Sequence, residues 1–271
     1  MKKFFLLAMM FALILMTGCN LNDDKIKVGT IKYLNVTEDA LDDTLVKHMV
    51  NRPAVKHIFF ENVSSLIAGL ESGQIDEMSI YRTVALYLSN NNPEFDWEIS
   101  EPIVSDMFCC AMKESNDALR KEFDDAILTI SKDGRLAKLV KTYINEYTRG
   151  DVPEPVELPT FYGAPTIKIG VTGDLPLLDY IRPDGEPAGF NTAVLAEISR
   201  ILGKNFVLVQ IDSGARSAAL ASEQVDVIFW AVSPKSADVL PKNFDSPEGV
   251  ILTVPYFSDD IVHVKLGKKN E

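Results

Sequence analysis

Cysteine and histidine are scarce, with three of each in 271 residues, and cationic side chains are outnumbered, 27 Lys and Arg against 39 Asp and Glu. The resulting charge of −12 is spread along the chain, which argues against a nucleic-acid partner, because phosphate backbones are held by basic patches. His48, His57 and His263 have no metal-ligand spacing, and the chain contains no GxSxG, no HExxH and no phosphate-binding loop. Asp76 and Asp226 end helix-to-strand turns, so paired-carboxylate catalysis is not suggested. Cys109 and Cys110 are adjacent on an expected strand, where neighbours point to opposite faces and cannot join; they read as small buried hydrophobes. No catalytic residue, metal or cofactor is expected, and the chain is not read as an enzyme.

Long apolar runs are also missing. The longest, Phe4 to Met16 behind Lys2 and Lys3, is too short to span a bilayer and reads as an export signal over residues 1–18. The stretch "LMTGC" resembles a bacterial lipobox, so Cys19 is expected to carry lipid and to tether an otherwise soluble chain outside the cytoplasm. Removing two lysines with the signal takes the charge to −14. About 250 residues remain, enough for two lobes.

Two stretches begin alike, "IKVGT" at 26 and "IKIGV" at 167, and two more pairs follow in the same order. "GLESGQIDEMS" at 69–79 parallels "ALASEQVDVIF" at 219–229, and "EPIVSDMFCCAMK" at 101–113 parallels "VPYFSDDIVHVKL" at 254–266. Asp76 and Asp226 lie 50 and 59 residues after the openings, so each unit is about 90 residues long. Each reads strand, helix, strand, helix, strand, the pattern of parallel β-α-β units. Within "FNTAVLAEISRILG", Val194, Leu195, Ile198, Ile201 and Leu202 share a face, with Asn191 as cap and Gly203 as stop. Within "NDALRKEFDDAILTISKDGRLAKLVKTYI", Leu119, Phe123, Ile127 and Ile130 have helical spacing before a break at Gly134. The third landmark of each unit is expected to cross between lobes as a hinge strand, at roughly 100–106 and 254–260. Prolines at 153, 155, 159 and 165 mark an extended linker.

These motifs resemble the bacterial family 3 extracellular solute-binding proteins, the amino-acid receptors of ABC importers, in swapped order. "GEPAGFNTAVLAEISRILG", "ALASEQVDVIF" and "VPYFSD" look like the family's N-terminal portion; "ESGQIDEMSIYRTVALYL", "SEPIVSD" and "ISKDGRLAKLVKTYI" look like its C-terminal portion. The resemblance implies an α/β, two-lobed periplasmic-binding-protein-like type 2 fold, circularly permuted. Each lobe is expected to be a mostly parallel sheet flanked by helices, the two joined by a two-strand hinge. Residues 25–103 with 259–271 would form the family's second lobe, and 104–258, including linker 147–166, its first. In a permuted chain the strand at 260–266 pairs beside 26–30, placing Lys265 and Lys27 on neighbouring strands. The implied partners are a small-molecule ligand and an ABC permease, with the chain a monomer. "IKVGTIKYLN" alone also resembles the start of the chorismate dehydratases, enzymes of the same fold, and a lipid-anchored sensory module without a transporter is a third reading.

In such folds ligands bind at the carboxyl ends of the strands. That rule selects Tyr33, Asn35, Thr37, Tyr81, Arg82, Asp174, Leu178, Tyr180, Trp230 and Ser233 as candidate ligand-binding residues. Asn35 or Thr37 can also cap the first helix, whose free amides attract carboxylates. The family's carboxylate-binding arginine is absent, Ser236 or Asp238 standing there, and Tyr81 replaces its ammonium-binding aspartate. Arg82 is the candidate substitute cation. A small amino-acid-like, carboxylate or aromatic solute is expected.

Overall fold

The computed structural model describes residues 25–48, 54–146, 152–236, 240–241 and 243–267; the expected signal segment and Cys19 lie outside them. No helix among the described residues is long and apolar enough to cross a membrane. The amino-terminal unit alternates β1 (Ile26–Ile31), α1 (Glu38–His48), β2 (Val55–Phe60), α2 (Val63–Glu71), β3 (Glu77–Tyr81) and α3 (Arg82–Asn91), as the periodicity requires. The second unit alternates β6 (Thr166–Val171), α6 (Gly189–Leu202), β10 (Asn205–Gln210), α7 (Arg216–Ala221) and β11 (Val227–Pro234). A small antiparallel sheet, β7 (Asp174–Leu175), β8 (Asp179–Ile181) and β9 (Pro187–Ala188), leads into α6.

The two units form halves of one curled sheet of order β10-β6-β11-β5-β13-β3-β1-β2, a two-lobed α/β architecture. The long strands β5 (Val104–Lys113) and β13 (Phe257–Leu266) join the halves. They pair antiparallel with each other over Val104–Phe108 and Phe257–Ile261. Beyond that crossing β5 continues against β11 and β12 (Val250–Leu252), while β13 continues against β3 and β4 (Trp97–Ile99). Only two strands therefore carry the sheet from one half to the other, close to the expected hinge.

The repeat has a shared physical device. Asp76 accepts from the Lys27 amide at 2.8 Å and returns its own amide to the Lys27 carbonyl at 2.9 Å; Asp226 does the same with Lys168, at 2.8 and 2.9 Å. Each aspartate ties the start of its unit's third strand to the first. Gly29 and Gly170 stand at equivalent places, and a Cβ on either would approach Ile75 or Ile211 within 3 Å, so each leaves room for an apolar side chain packed onto its strand.

Some expectations need correction. β13 does not neighbour β1. Its partner is β3, with Val264 opposite Met78 and Met78 opposite Gly29, so Lys265 and Lys27 are two strands apart. All but one of the five β3 residues are buried, which suits a strand flanked on both edges. Lys265 instead reaches Glu77 at 2.8 Å. In α6, Val194, Leu195 and Ile198 are buried as expected, but Ile201 is 37% exposed and Asn191 lies inside the helix, its side-chain oxygen accepting from Tyr256. Gly203 ends the helix at φ 60, as expected. In α4 (Asp117–Lys132), Phe123, Ala126, Ile127 and Ile130 form the buried stripe. The linker is extended but not free. Val156 donates to the Pro187 carbonyl, and Asn205 exchanges bonds with Phe161 in both directions. Cys109 and Cys110 are buried free thiols, and burial pushes the Cys109 thiol up to about 12.

Candidate functional site

The crevice between the two sheet halves lies at the carboxyl ends of the parallel strands, where β-α-β geometry leaves loops and helix starts facing one another. It is nearly filled, leaving a cavity of about 30 Å³, and is lined by Tyr33 and Lys32 after β1, Tyr81 at the end of β3, Leu175 of β7, Trp230 and Val232 on β11, with Arg216 and Asp245.

Trp230 is placed by a bulge. The β11–β5 register slips between Phe229 and Ala231, and Trp230 has φ 50, a left-handed conformation rare for a bulky residue. Such strain costs on the order of 1–3 kcal/mol and must be offset by surrounding contacts. Here the Trp230 indole N–H donates to Asp179 at 3.2 Å and Thr172 at 3.3 Å, its carbonyl accepts from Arg216 at 3.0 Å, and the Arg216 guanidinium lies 4.5 Å from its ring centroid. Asp179 also accepts the amides of Thr172 and Gly173 at 2.8 and 3.1 Å. Burial raises its carboxyl above the usual range while those donors pull it back. Tyr81 meets Trp230 edge-on at 5.9 Å and Phe108 at 4.8 Å, so three rings form one wall.

Arg216, 1% exposed, is the buried cation of the crevice, and its polar contacts are with carbonyls. It donates to Ser213 at 3.1 Å and Trp230 at 3.0 Å in its own half, and across the crevice to Lys32 at 2.8 Å. Asp106, on the crossing segment of β5 and 2% exposed, accepts from the Tyr81 hydroxyl. Burial, with Asp245 and Asp259 nearby, pushes its carboxyl to about 7.

Of the ten candidate residues, Tyr33, Tyr81 and Trp230 line the crevice. Asp174 sits at its edge, accepting from the Val63 amide at the start of α2 at 2.6 Å. Asn35 contributes its backbone, donating to Asp245 at 2.9 Å, and Thr37 caps α1 through a bond from Ala40. Arg82 is exposed and lines a separate groove with Leu86 and Tyr87, so it does not replace the missing cation. Leu178 packs in the core, and Tyr180 pairs with Asp174 and Ala188 on β8. Ser233 is 9% exposed, opposite Met107 on β5, where its neighbour Val232 faces the crevice. Sequence reasoning missed Arg216, inside what reads as a plain short helix, and Asp245, in an irregular segment. Only "GARSAAL", with one charge among small residues, hinted at the first.

Residues 167–239, from β6 to the residues just past β11, match the family model of the bacterial extracellular solute-binding proteins, family 3. This stretch is similar to family 3. That segment supplies Asp174, Arg216 and Trp230, one side of the crevice. No curated protein matches the chain. Among solved structures it is similar to the GluR0 ligand-binding core complexed with L-glutamate, at 9% identity over 91% of this chain and 86% of that one, TM-score 0.41. A periplasmic substrate-binding protein of an ABC transporter from Coxiella burnetii gives 14%, 91%, 87% and 0.41. The zinc-bound ligand-binding component of an ABC-type import system from Staphylococcus aureus gives 13%, 91%, 67% and 0.39.

Proposed function

We propose that the protein is a lipid-anchored extracytoplasmic solute-binding protein that closes two lobes on a small polar or aromatic solute and presents it to an ABC-type importer. The observation that carries this reading is the coincidence of the family 3 segment with one wall of the crevice, where a strained tryptophan is held toward Tyr81 and Tyr33. Strain of that kind persists where surrounding structure over-determines it, characteristically at binding sites. The chain order, swapped relative to the family, is read as a permutation, with the last strand in the sheet half that the first strand opened although it pairs there with β3 and not with β1. Cys19 is the proposed anchor, and no catalytic role is assigned to any residue.

A thermal-shift screen of the purified protein over amino acids, related carboxylates and aromatic metabolites tests this. A specific solute at 100 times its Kd should add about 2.7 kcal/mol to the native state. If no small molecule raises the midpoint while a protein partner does, the reading fails; turnover of chorismate would replace it with an enzyme.

A further inference from the structure

Three backbone amides at or just before helix starts of the amino-terminal unit are each taken by a carboxylate of the chain itself. At the start of α2 the Val63 amide donates to Asp174 at 2.6 Å. In the turn before α1 the Asn35 amide donates to Asp245 at 2.9 Å, and the Leu34 and Val36 amides also point at that carboxylate. At the start of α3 the Thr83 amide donates to Asp259 of β13 at 3.2 Å. Asp174 and Asp245 belong to the opposite side of the crevice. The same gap is bridged by Gly214 to Glu61 at 2.6 Å, Ser217 to the Leu34 carbonyl at 2.5 Å and Arg216 to the Lys32 carbonyl at 2.8 Å.

These contacts divide by what they consume. Helix-start amides favour carboxylates because their N–H groups lack intrahelical partners. Arg216 is the crevice's buried cation, yet its bonds go to three carbonyls. The groups best suited to hold a solute carboxylate are therefore spent on holding the two halves together.

We propose that Asp174 and Asp245 form an internal latch, standing where a solute carboxylate would sit, so that the crevice is kept shut by the protein's own anions and selects solutes without a carboxylate. The closure half stands on the contacts alone; the selectivity half rests on the crevice being the solute site. A solute entering the shut crevice meets the aromatic wall first, and a carboxylate must displace one aspartate to find its donors.

The test compares the purified protein with D174A/D245A and the near-isosteric D174N/D245N. Amide exchange is read by NMR at Val63 and Asn35, and overall size by small-angle X-ray scattering. With the latch, the alanine pair exchanges both amides at least about tenfold faster and has a larger radius of gyration, while the asparagine pair, which keeps an acceptor but not the charge, falls between. Unchanged exchange and size in a folded alanine pair would overturn the latch. If that pair fails to fold, the asparagine pair decides alone: exchange equal to the parent overturns the proposal. Sodium acetate is the probe for selectivity. It should shift the Val63 and Asn35 resonances in the alanine pair and not in the parent; a shift in both, or in neither, overturns the selectivity half. Failure of the solute screen leaves the exchange and scattering results standing, so the two readings fail separately.

Discussion

Asp106 shows how one residue links the site to solution conditions. Its carboxyl faces Tyr81, with Tyr33, Asp245 and Asp259 around it. A carboxyl raised to about 7 when folded, against roughly 3.9 unfolded, retains its proton better in the folded state. Stability is then greatest below the unfolded value, falls as pH climbs toward about 7 and is flat above it. The full contribution is at most about 4 kcal/mol. Asp174, Asp179, Asp245 and Asp259 are raised by burial with the same sign, so the parent protein as a whole is expected to lose stability across this range. D106N should remove the Asp106 share. Urea midpoints measured at pH 5 and pH 8 should converge in the variant relative to the parent, and an equal pH difference in both would show that Asp106 does not titrate there. None of this was legible in "EPIVSDMF", because burial depends on which strands cross at that point.

At the scale of elements, β11 is where pattern and structure part. "VDVIFWAVSP" reads as a plain apolar strand, and its periodicity contains no sign of the slip at Trp230. The slip follows from partners distant in sequence, Asp179 and Arg216, that engage the indole and the carbonyl. W230F keeps a ring but removes the donor to Asp179 and Thr172. Asp179 keeps the Thr172 and Gly173 amides, so the loss should be that of one buried hydrogen bond, about 0.5–1.5 kcal/mol, measured by chemical denaturation. Loss below a few tenths would mean the indole N–H does not hold the bulge. Helices and strands with strong periodicity were legible: α4 buries the stripe that its spacing marks, and the turns at Asp76 and Asp226 perform the same task. Crevice-lining residues were legible where a strand end fixes them, as at Tyr33 and Tyr81, and Trp230 was picked as such although a bulge within β11 delivers it. They were hidden where an irregular segment or a short helix delivers them, as with Asp245 and Arg216.

For the whole molecule the decisive feature is that β6 to β12 all lie, in sequence, between the two joining strands. The sheet half that β6, β10, β11 and β12 build with β5 comes from one uninterrupted stretch, whereas the other half combines the first three strands with β4 and the far end of β13. Truncation after residue 256 should leave the edge of β3 from Met78 to Tyr81 unpaired. Hydrogen exchange by mass spectrometry should then show lost protection in β1 to β3 but retained protection in β6, β10 and β11; uniform loss would mean that the halves do not fold separately. The same arrangement sets a timetable during synthesis. The half that starts first cannot be completed until the last strand leaves the ribosome, while the half encoded in the middle has its strands in hand earlier. An exposed β3 edge must be kept from pairing with other chains throughout that interval.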